Sequence, residues 1–163
     1  MGMGEPLLNF DAVVRAIRLM NLDFGPAMGI RRITLSTVGH VPGILKLSKE
    51  GLKVGLAISL NATTDAQRSQ IMPINRKWPI TQLLDAVRTY RQRIDRRVTF
   101  EYVMLHGFND SMDDARRLVT LVRDIACKIN LIPWNPIPDA PPVTNATFPR
   151  TRPCFISDIH SPL

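Results

Sequence analysis

The sequence has few of the features that mark exported, membrane-spanning or metal-rich proteins. Its two cysteines, Cys127 and Cys154, are too few for a disulfide framework, and a reduced chain in the cytoplasm is the expectation. No apolar run approaches the roughly 20 residues of a membrane-crossing helix. The first nine residues lack the basic region and apolar block of a signal peptide. No cluster of cysteine and histidine has metal-ligand spacing, so no metal ligands are assigned. Walker and Gly-x-Gly-x-x-Gly loops are missing. The segment Met1-Gly2-Met3-Gly4 is glycine-rich but lacks the lysine and spacing of a phosphate loop. Nothing supports Ser-His-Asp catalysis, and no internal sequence repeat is legible.

What is there is an ordinary globular balance with a basic excess. The 163 residues make one domain's worth of chain, 45% hydrophobic and 21% charged. Lysine and arginine total 21 against 14 acids, a net charge of +7 compatible with a nucleic-acid partner. Arg88, Arg91, Arg93, Arg96 and Arg97 crowd into one short stretch. They read either as cations favoured at a helix C-terminus or as a phosphate-contacting patch, which makes Arg91, Arg93, Arg96 and Arg97 the candidates for contacting RNA or DNA.

Four segments alternate large apolar side chains with small or polar ones, the two-residue period of a strand. In 53–61, Val54, Leu56, Ile58 and Leu60 alternate with Gly55, Ala57, Ser59 and Asn61. Segments 32–36, 97–103 and 128–132 follow the same rule, with Thr34, Ser36, Thr99, Glu101 and Asn130 on the polar side. Glu101 is a mid-strand carboxylate on that side, and it needs a partner there because an unpaired buried charge costs several kcal/mol. Helical periodicity marks 10–21, where Asn9 is the capping residue, and 42–50, stopped by Gly51. It also marks 80–93 and a last helix to about 125, which starts at a capping box of Ser111 and Asp114. The last helix is expected to bury Met112, Ala115, Leu118, Val119, Val122 and Ile125 and to end near Cys127, a core thiol. A short helix fits near 64–70 within the loop 61–79.

Helices alternating with strands predict a parallel sheet joined by right-handed crossovers. A doubly wound sheet buries both faces and favours continuous apolar strands. One polar face per strand points instead to an arc of a β/α barrel around a polar ligand. After Pro133 the prolines at 136, 138, 141, 142, 149, 153 and 162 break the pattern, and 139–163 reads as an irregular tail.

In β/α folds the chemistry sits beyond the carboxyl ends of the strands. Those positions here hold Gly4-Glu5-Pro6, Ser36-Thr37, Ser59-Leu60-Asn61, His106 with Asn109-Asp110, and Asn135-Pro136. One carboxylate beside glycine, two hydroxyls and two carboxamides suit a ligand with an ammonium, a carboxylate and ribose hydroxyls. Glu5 would meet the ammonium through a charge-assisted hydrogen bond. His106, in a glycine-containing loop, reads as solvent-exposed.

The blocks Met1-Gly2-Met3-Gly4-Glu5-Pro6-Leu7-Leu8-Asn9, Ile33-Thr34-Leu35-Ser36-Thr37 with Gly39, Val41-Pro42-Gly43-Ile44, Leu56-Ala57-Ile58-Ser59-Leu60-Asn61-Ala62, Met72-Pro73-Ile74-Asn75-Arg76, Arg97-Val98-Thr99-Phe100-Glu101-Tyr102 and Asn130-Leu131-Ile132-Pro133-Trp134-Asn135-Pro136-Ile137-Pro138 come in a telling order. Together they resemble the radical S-adenosylmethionine RNA adenine-C2 methyltransferases of the RlmN/Cfr type over about 1–138. The resemblance implies an α/β fold, a partial (β/α)6 TIM-like radical SAM barrel with S-adenosylmethionine inside. The domain would span 1–138, truncated at both ends, with 139–163 outside the family pattern. It implies cofactor contacts from Gly4, Glu5, Ser36, Ser59, Leu60, Asn61 and Asn135, the family usually having histidine where Asn61 stands. The family transfers a methyl group to adenine of 23S rRNA and tRNA, using a 4Fe-4S cluster and a methyl-carrying cysteine.

The family's Cys-x-x-x-Cys-x-x-Cys cluster motif and its methyl-carrying cysteine segment find no counterpart in this sequence. The expectation is therefore a methyltransferase fragment inactive by itself and monomeric. The alternatives are a non-catalytic basic RNA-binding module and an unstable gene fragment with exposed sheet edges.

Overall fold

The computed structural model describes residues 4–23 and 26–133. Asn135, Cys154 and the tail 139–163 lie outside them. Along the chain run α1 (Phe10–Met20), β1 (Thr34–Thr37), α2 (Val41–Lys49), β2 (Gly55–Ser59), α3 (Asp65–Ile71), α4 (Ile80–Ile94), β3 (Val98–Met104), α5 (Met112–Val122) and β4 (Cys127–Pro133). Short 3-10 turns at Pro6–Asn9, Ile30–Arg32 and Pro73–Arg76 join them.

The four strands are parallel and lie in the order β1-β2-β3-β4. Each strand lies beside its successor, so the described sheet has no reversal of strand order. That is the winding of a barrel arc and not of a doubly wound sheet. The register aligns Ser36, Ala57, Thr99 and Lys128 in one row and Ser59, Glu101 and Asn130 in the next.

The alternation read from the sequence sorts the two faces. Leu35, Leu56, Ile58, Val98, Phe100 and Tyr102 enter one apolar core, which also holds Phe10, Val14 and Ile17 of α1 and Ile44 and Leu47 of α2. Leu83, Val87 and Tyr90 of α4 and Leu118 and Val122 of α5 complete it. Each such side chain, fully buried, stabilises the fold by about 1.5–3 kcal/mol. Thr34, Ser36, Thr99, Glu101 and Asn130 alternate with the core residues and so face the other side. The Tyr90 hydroxyl donates to the Val54 carbonyl at 2.9 Å, and burial pushes its pKa up to about 12.

Helix ends follow local chemistry. The His40 ring accepts from the Gly43 N–H at 3.1 Å and caps α2. Gly43 is required there, because a Cβ would come within 2.6 Å of both the His40 ring and Leu7. Ser111 and Asp114 form the capping box expected of α5. α4 ends on Asp95 in the left-handed region, φ 47°.

Several expectations are corrected. β1 begins at Thr34, because residues 30–32 wind into a 3-10 turn. Asn9 precedes α1 but makes no side-chain cap. Met112 and Val119 are 70% and 44% exposed, and Ala115 is also exposed. The rotation of α5 has a polar cause. Asp114 is drawn inward by partners from the β2–α3 region, so the stripe Asp114, Leu118, Val122 is buried and the Met112 stripe turns outward. α5 stops at Val122, and Cys127 opens β4 and does not close a helix. Its thiol packs against the core, and burial pushes its pKa up to about 11.

Candidate ligand site at the carboxyl ends of the strands

The loops leaving β1, β2 and β3 meet at one end of the sheet, and Glu5 reaches that end from the 3-10 turn ahead of α1. Its carboxylate accepts from the Leu7 N–H at 3.0 Å, the Thr37 hydroxyl at 2.9 Å and the Val38 N–H at 2.8 Å. These bonds fix the carboxylate over the end of β1. An ionised carboxylate has about four acceptor sites, so one remains after three are used. Gly4 beside it has φ +98°, a left-handed conformation that suits glycine.

Ser59 closes β2 and is 5% exposed; its carbonyl accepts from the Arg68 guanidinium at 3.1 Å. Leu60 is fully buried and belongs to the apolar core. Asn61 adopts φ +57°, which asparagine tolerates better than most residues. Its side-chain oxygen accepts from the Val103 N–H at 3.0 Å. The carboxamide thus continues the β2–β3 ladder where the β2 backbone turns away, and the Asn61 carbonyl receives the Asn109 amide at 2.8 Å. Ser36 lies on the polar face of β1, half-buried. Of the positions assigned to the cofactor, Gly4, Glu5, Ser36, Ser59, Leu60 and Asn61 are among the described residues, with Leu60 on the core side.

The inner row resolves the Glu101 question. Asn130 donates to its carboxylate at 2.7 Å, so the mid-strand charge has its partner on the next strand. The other end of that carboxamide, Asn130 Oδ1, is buried with no hydrogen-bond partner among the described residues. An orphaned acceptor beside Glu101, in the row that Ser59 shares, suits a ligand that brings hydroxyl or amino donors.

Two groups that the sequence reading did not place at this end hold it together. Arg68 of α3 is fully buried. Its guanidinium donates to the carbonyls of Leu60 at 3.1 Å, Val38 at 2.8 Å and Ser59 at 3.1 Å, and to Asn75 Oδ1 at 3.0 Å. Burial lowers its pKa to about 10, still far above neutrality. Asn75 passes the linkage to Asp65 and Ser69, and Asp65 accepts the first N–H of α4. The second group is Asp114, which takes bonds from Thr63, Gln67, Ser111 and Arg117. Burial pushes that carboxyl up, yet these four donors outweigh it and hold it well below the ordinary carboxylate range. The signals in the sequence were the Met72–Arg76 block and a short helix in a long loop near Arg68, and for Asp114 the capping box with Ser111.

The arginine cluster splits apart. Arg88 pairs with Asp124 at 2.7 Å and Asp85 at 2.8 Å. Arg91 Nε is buried without a partner among the described residues. Arg93 is exposed on the last turn of α4. Arg96 donates to the carbonyls of Lys53 and Arg31, while Arg97 lines a cleft at the far end of the sheet. His106 is fully exposed, 3.2 Å from Asp110.

Among the described residues, no three histidine, cysteine or acidic side chains are grouped to hold a metal ion. Cys127, the one cysteine among them, lies at the amino end of β4 with a protonated thiol. The described residues therefore do not fit an iron–sulfur cluster. Nor is any described helix long and apolar enough to cross a membrane.

Comparison with known proteins matches residues 1–119 to the Radical SAM superfamily. The chain is 50% identical over 141 residues to a probable dual-specificity RNA methyltransferase RlmN of Dictyoglomus thermophilum, spanning 86% of this chain and 40% of the relative. It is 55% identical to a dual-specificity RNA methyltransferase RlmN of Anaeromyxobacter sp., over 86% of this chain and 37% of the relative. A crystal structure of a radical SAM methyltransferase from Sphaerobacter thermophilus superposes with TM-score 0.81 at 48% identity, over 86% of this chain and 41% of that one. The chain thus spans about two fifths of the length of the relatives it matches.

Proposed function

Because this chain belongs to the radical SAM superfamily, we propose that its carboxyl-end loops hold S-adenosylmethionine as part of an RNA adenine-C2 methyltransferase. The observation that carries the reading is the polar inner row. Ser59, Glu101 and Asn130, with its orphaned Oδ1, share one register row across β2, β3 and β4, while the carboxylate of Glu5 is fixed over the end of β1. Glu5 receives the ligand's ammonium at its remaining acceptor site, with Gly4 allowing close backbone approach. Ser36, Ser59 and the ladder-end Asn61 orient the nucleoside, and Asn135 belongs to the same set. Bound S-adenosylmethionine supplies the methyl group and the precursor of the radical. The chain's own part is to bind and orient it over the sheet. Ligands for a four-iron four-sulfur cluster are not furnished by the described residues, and the proposed reading is a chain that is inactive by itself. The relatives, named as RNA methyltransferases, support RNA as the partner, 23S rRNA and tRNA being the specific substrates proposed. Arg91, Arg93, Arg96 and Arg97 are its proposed contacts, and a monomer in the cytoplasm is the proposed state.

Calorimetric titration tests this. The purified chain should bind S-adenosylmethionine, and Glu5→Gln should weaken it about tenfold, the value of one charge-assisted contact. Methylthioadenosine lacks the ammonium, so its affinity should not change in that variant. Equal losses for both ligands would mean that Glu5 acts only through the loop it braces. A folded chain that binds neither would end the reading.

A further inference from the structure

An RNA base that is to be methylated has to reach the end of the sheet whose loops hold the cofactor. Arg91 and Arg93 lie on the last turn of α4. A helix that follows a parallel strand runs back from the carboxyl ends toward the amino ends, so those arginines stand at the opposite end. The aromatic side chains are distributed the other way. Among the described residues Phe10, Tyr90, Phe100 and Tyr102 are buried, and only Trp78 and Phe108 are half-buried. Both stand at the carboxyl end. Trp78 lies two residues before α4, and its ring meets that of His40, the capping residue of α2, at 90° with centroids 4.8 Å apart. Phe108 lies in the loop that leaves β3, where its N–H donates to the Leu105 carbonyl at 3.0 Å.

One braced segment carries both rings. Gln67 of α3 donates to the Phe108 carbonyl at 2.8 Å. Farther on, the Trp78 N–H donates to the Ile74 carbonyl at 3.1 Å. Asp65, the first residue of α3, accepts from Asn75 at 3.0 Å and from the Ile80 N–H at 2.8 Å. α3 and the turn Pro73–Arg76 thus tie the Phe108 loop to the start of α4. Rings fixed in advance cost a ligand less ordering when it stacks on them. The Lys77 ammonium lies 4.8 Å from the centroid of a Trp78 ring, and Arg76 beside it is exposed. Cations are spread over the whole surface and mark no face by themselves; the aromatic pair does. Stacking on aromatics with cations alongside is how single strands are held without regard to sequence, whereas a base inside a duplex already has both faces covered. We propose that single-stranded RNA crosses the carboxyl-end face of the sheet, its bases stacked on Trp78 and Phe108 and its phosphates on Arg76 and Lys77. The proposal rests on the RNA-partner reading above and places the strand on the cofactor's side of the sheet.

The test is fluorescence anisotropy of the full chain with a short, labelled, unstructured RNA across a potassium chloride series. Trp78→Leu and Phe108→Leu should each weaken binding about tenfold, the scale of one lost stacked base, and leave the slope of log affinity against log salt unchanged. Arg76→Gln/Lys77→Gln should instead lower that slope by about 1.4, since each single-strand phosphate contact contributes about 0.7. Trp78→Phe keeps a stacking face and should stay within about threefold of the wild type. Lys49→Gln, on the last turn of α2, should change neither affinity nor slope. The S-adenosylmethionine titration should be unchanged in Phe108→Leu, whose side chain is none of the cofactor contacts. In a Trp134→Phe chain, where Trp78 is the one remaining tryptophan, RNA should quench the indole emission and inorganic tripolyphosphate should not. If both leucine variants bind RNA as the wild type does and Arg91→Gln/Arg93→Gln flattens the slope, the RNA lies along α4 and the proposal falls, with the RNA-partner reading intact. A wild-type chain that binds S-adenosylmethionine but no RNA at low salt overturns that reading itself.

Discussion

The two ends of the parallel sheet treat charge in opposite ways. At the carboxyl end, Arg68 is fully buried and all its described partners are acceptors of the same domain, the carbonyls of Val38, Ser59 and Leu60 and the Asn75 side chain. Asp114 is nearly buried and surrounded by four donors. At the amino end, Lys53, Lys128 and Arg31 stay exposed around a cleft with one carboxylate among its described lining residues. Loops that must hold a small ligand need their geometry set in advance, and internal hydrogen bonds do that. Cations that stay exposed to solvent set little geometry, but they retain their attraction for an incoming anion. The same sheet therefore offers a rigid end and an electrostatic end.

Substitutions can break that contrast. Arg68→Leu should have the largest effect, about 4 kcal/mol by urea unfolding, because it leaves several buried acceptors without a donor. A loss below about 1 kcal/mol would mean that water replaces the guanidinium and the end is not rigid. Asn109→Ala should cost about 2 kcal/mol, since Asn109 bonds the Leu105 N–H and the carbonyls of Asn61 and Val103. Asn61→Ala should cost about 1–2 kcal/mol through the lost Val103 bond and the positive φ. Asn61→His should cost less, as a ring nitrogen can accept from Val103 and histidine tolerates that conformation.

Acid should act on the rigid end. The Asp114 carboxyl is held below its ordinary value of 3.8, so the folded state binds fewer protons than the unfolded one. Its stabilisation is fully present above that pH and declines as pH falls below it. Asp114→Asn should lower stability at neutral pH and flatten that part of the acid limb, as followed by circular dichroism. At the electrostatic end, Lys53→Gln/Lys128→Gln should change stability by less than about 0.5 kcal/mol, the usual scale for exposed sites. A loss as large as that of Asn109→Ala would show these lysines to be structural after all.

Much of the fold was legible because its signals are local. Alternation in 53–61 and 97–103 placed Ile58 and Phe100 in the core, and helical spacing at Ile80, Leu83, Leu84, Val87 and Tyr90 placed α4. The capping box at Ser111 and Asp114 was readable as a spacing of three residues. The carboxyl-end positions Glu5, Ser36, Ser59 and Asn61 followed from strand ends and from family resemblance. Arg68 was not legible, because an arginine in a polar seven-residue helix reads as a solvated one. The outward turn of Met112 and Val119 was hidden for a related reason: the rotation of α5 is set by a polar contact to Thr63, fifty-one residues from Asp114. The Arg88–Arg97 cluster looked like a single patch, yet consecutive positions around a helix end point in different directions.

By itself the sequence determined which residues alternate, where helices begin and stop, and which side of each strand is apolar, since those depend on neighbours a few positions away. Only the tertiary structure decided which polar groups saturate one another at the carboxyl end and which cations converge at the amino end. Both depend on distances between residues far apart in the chain, and those distances exist only once the strands lie side by side.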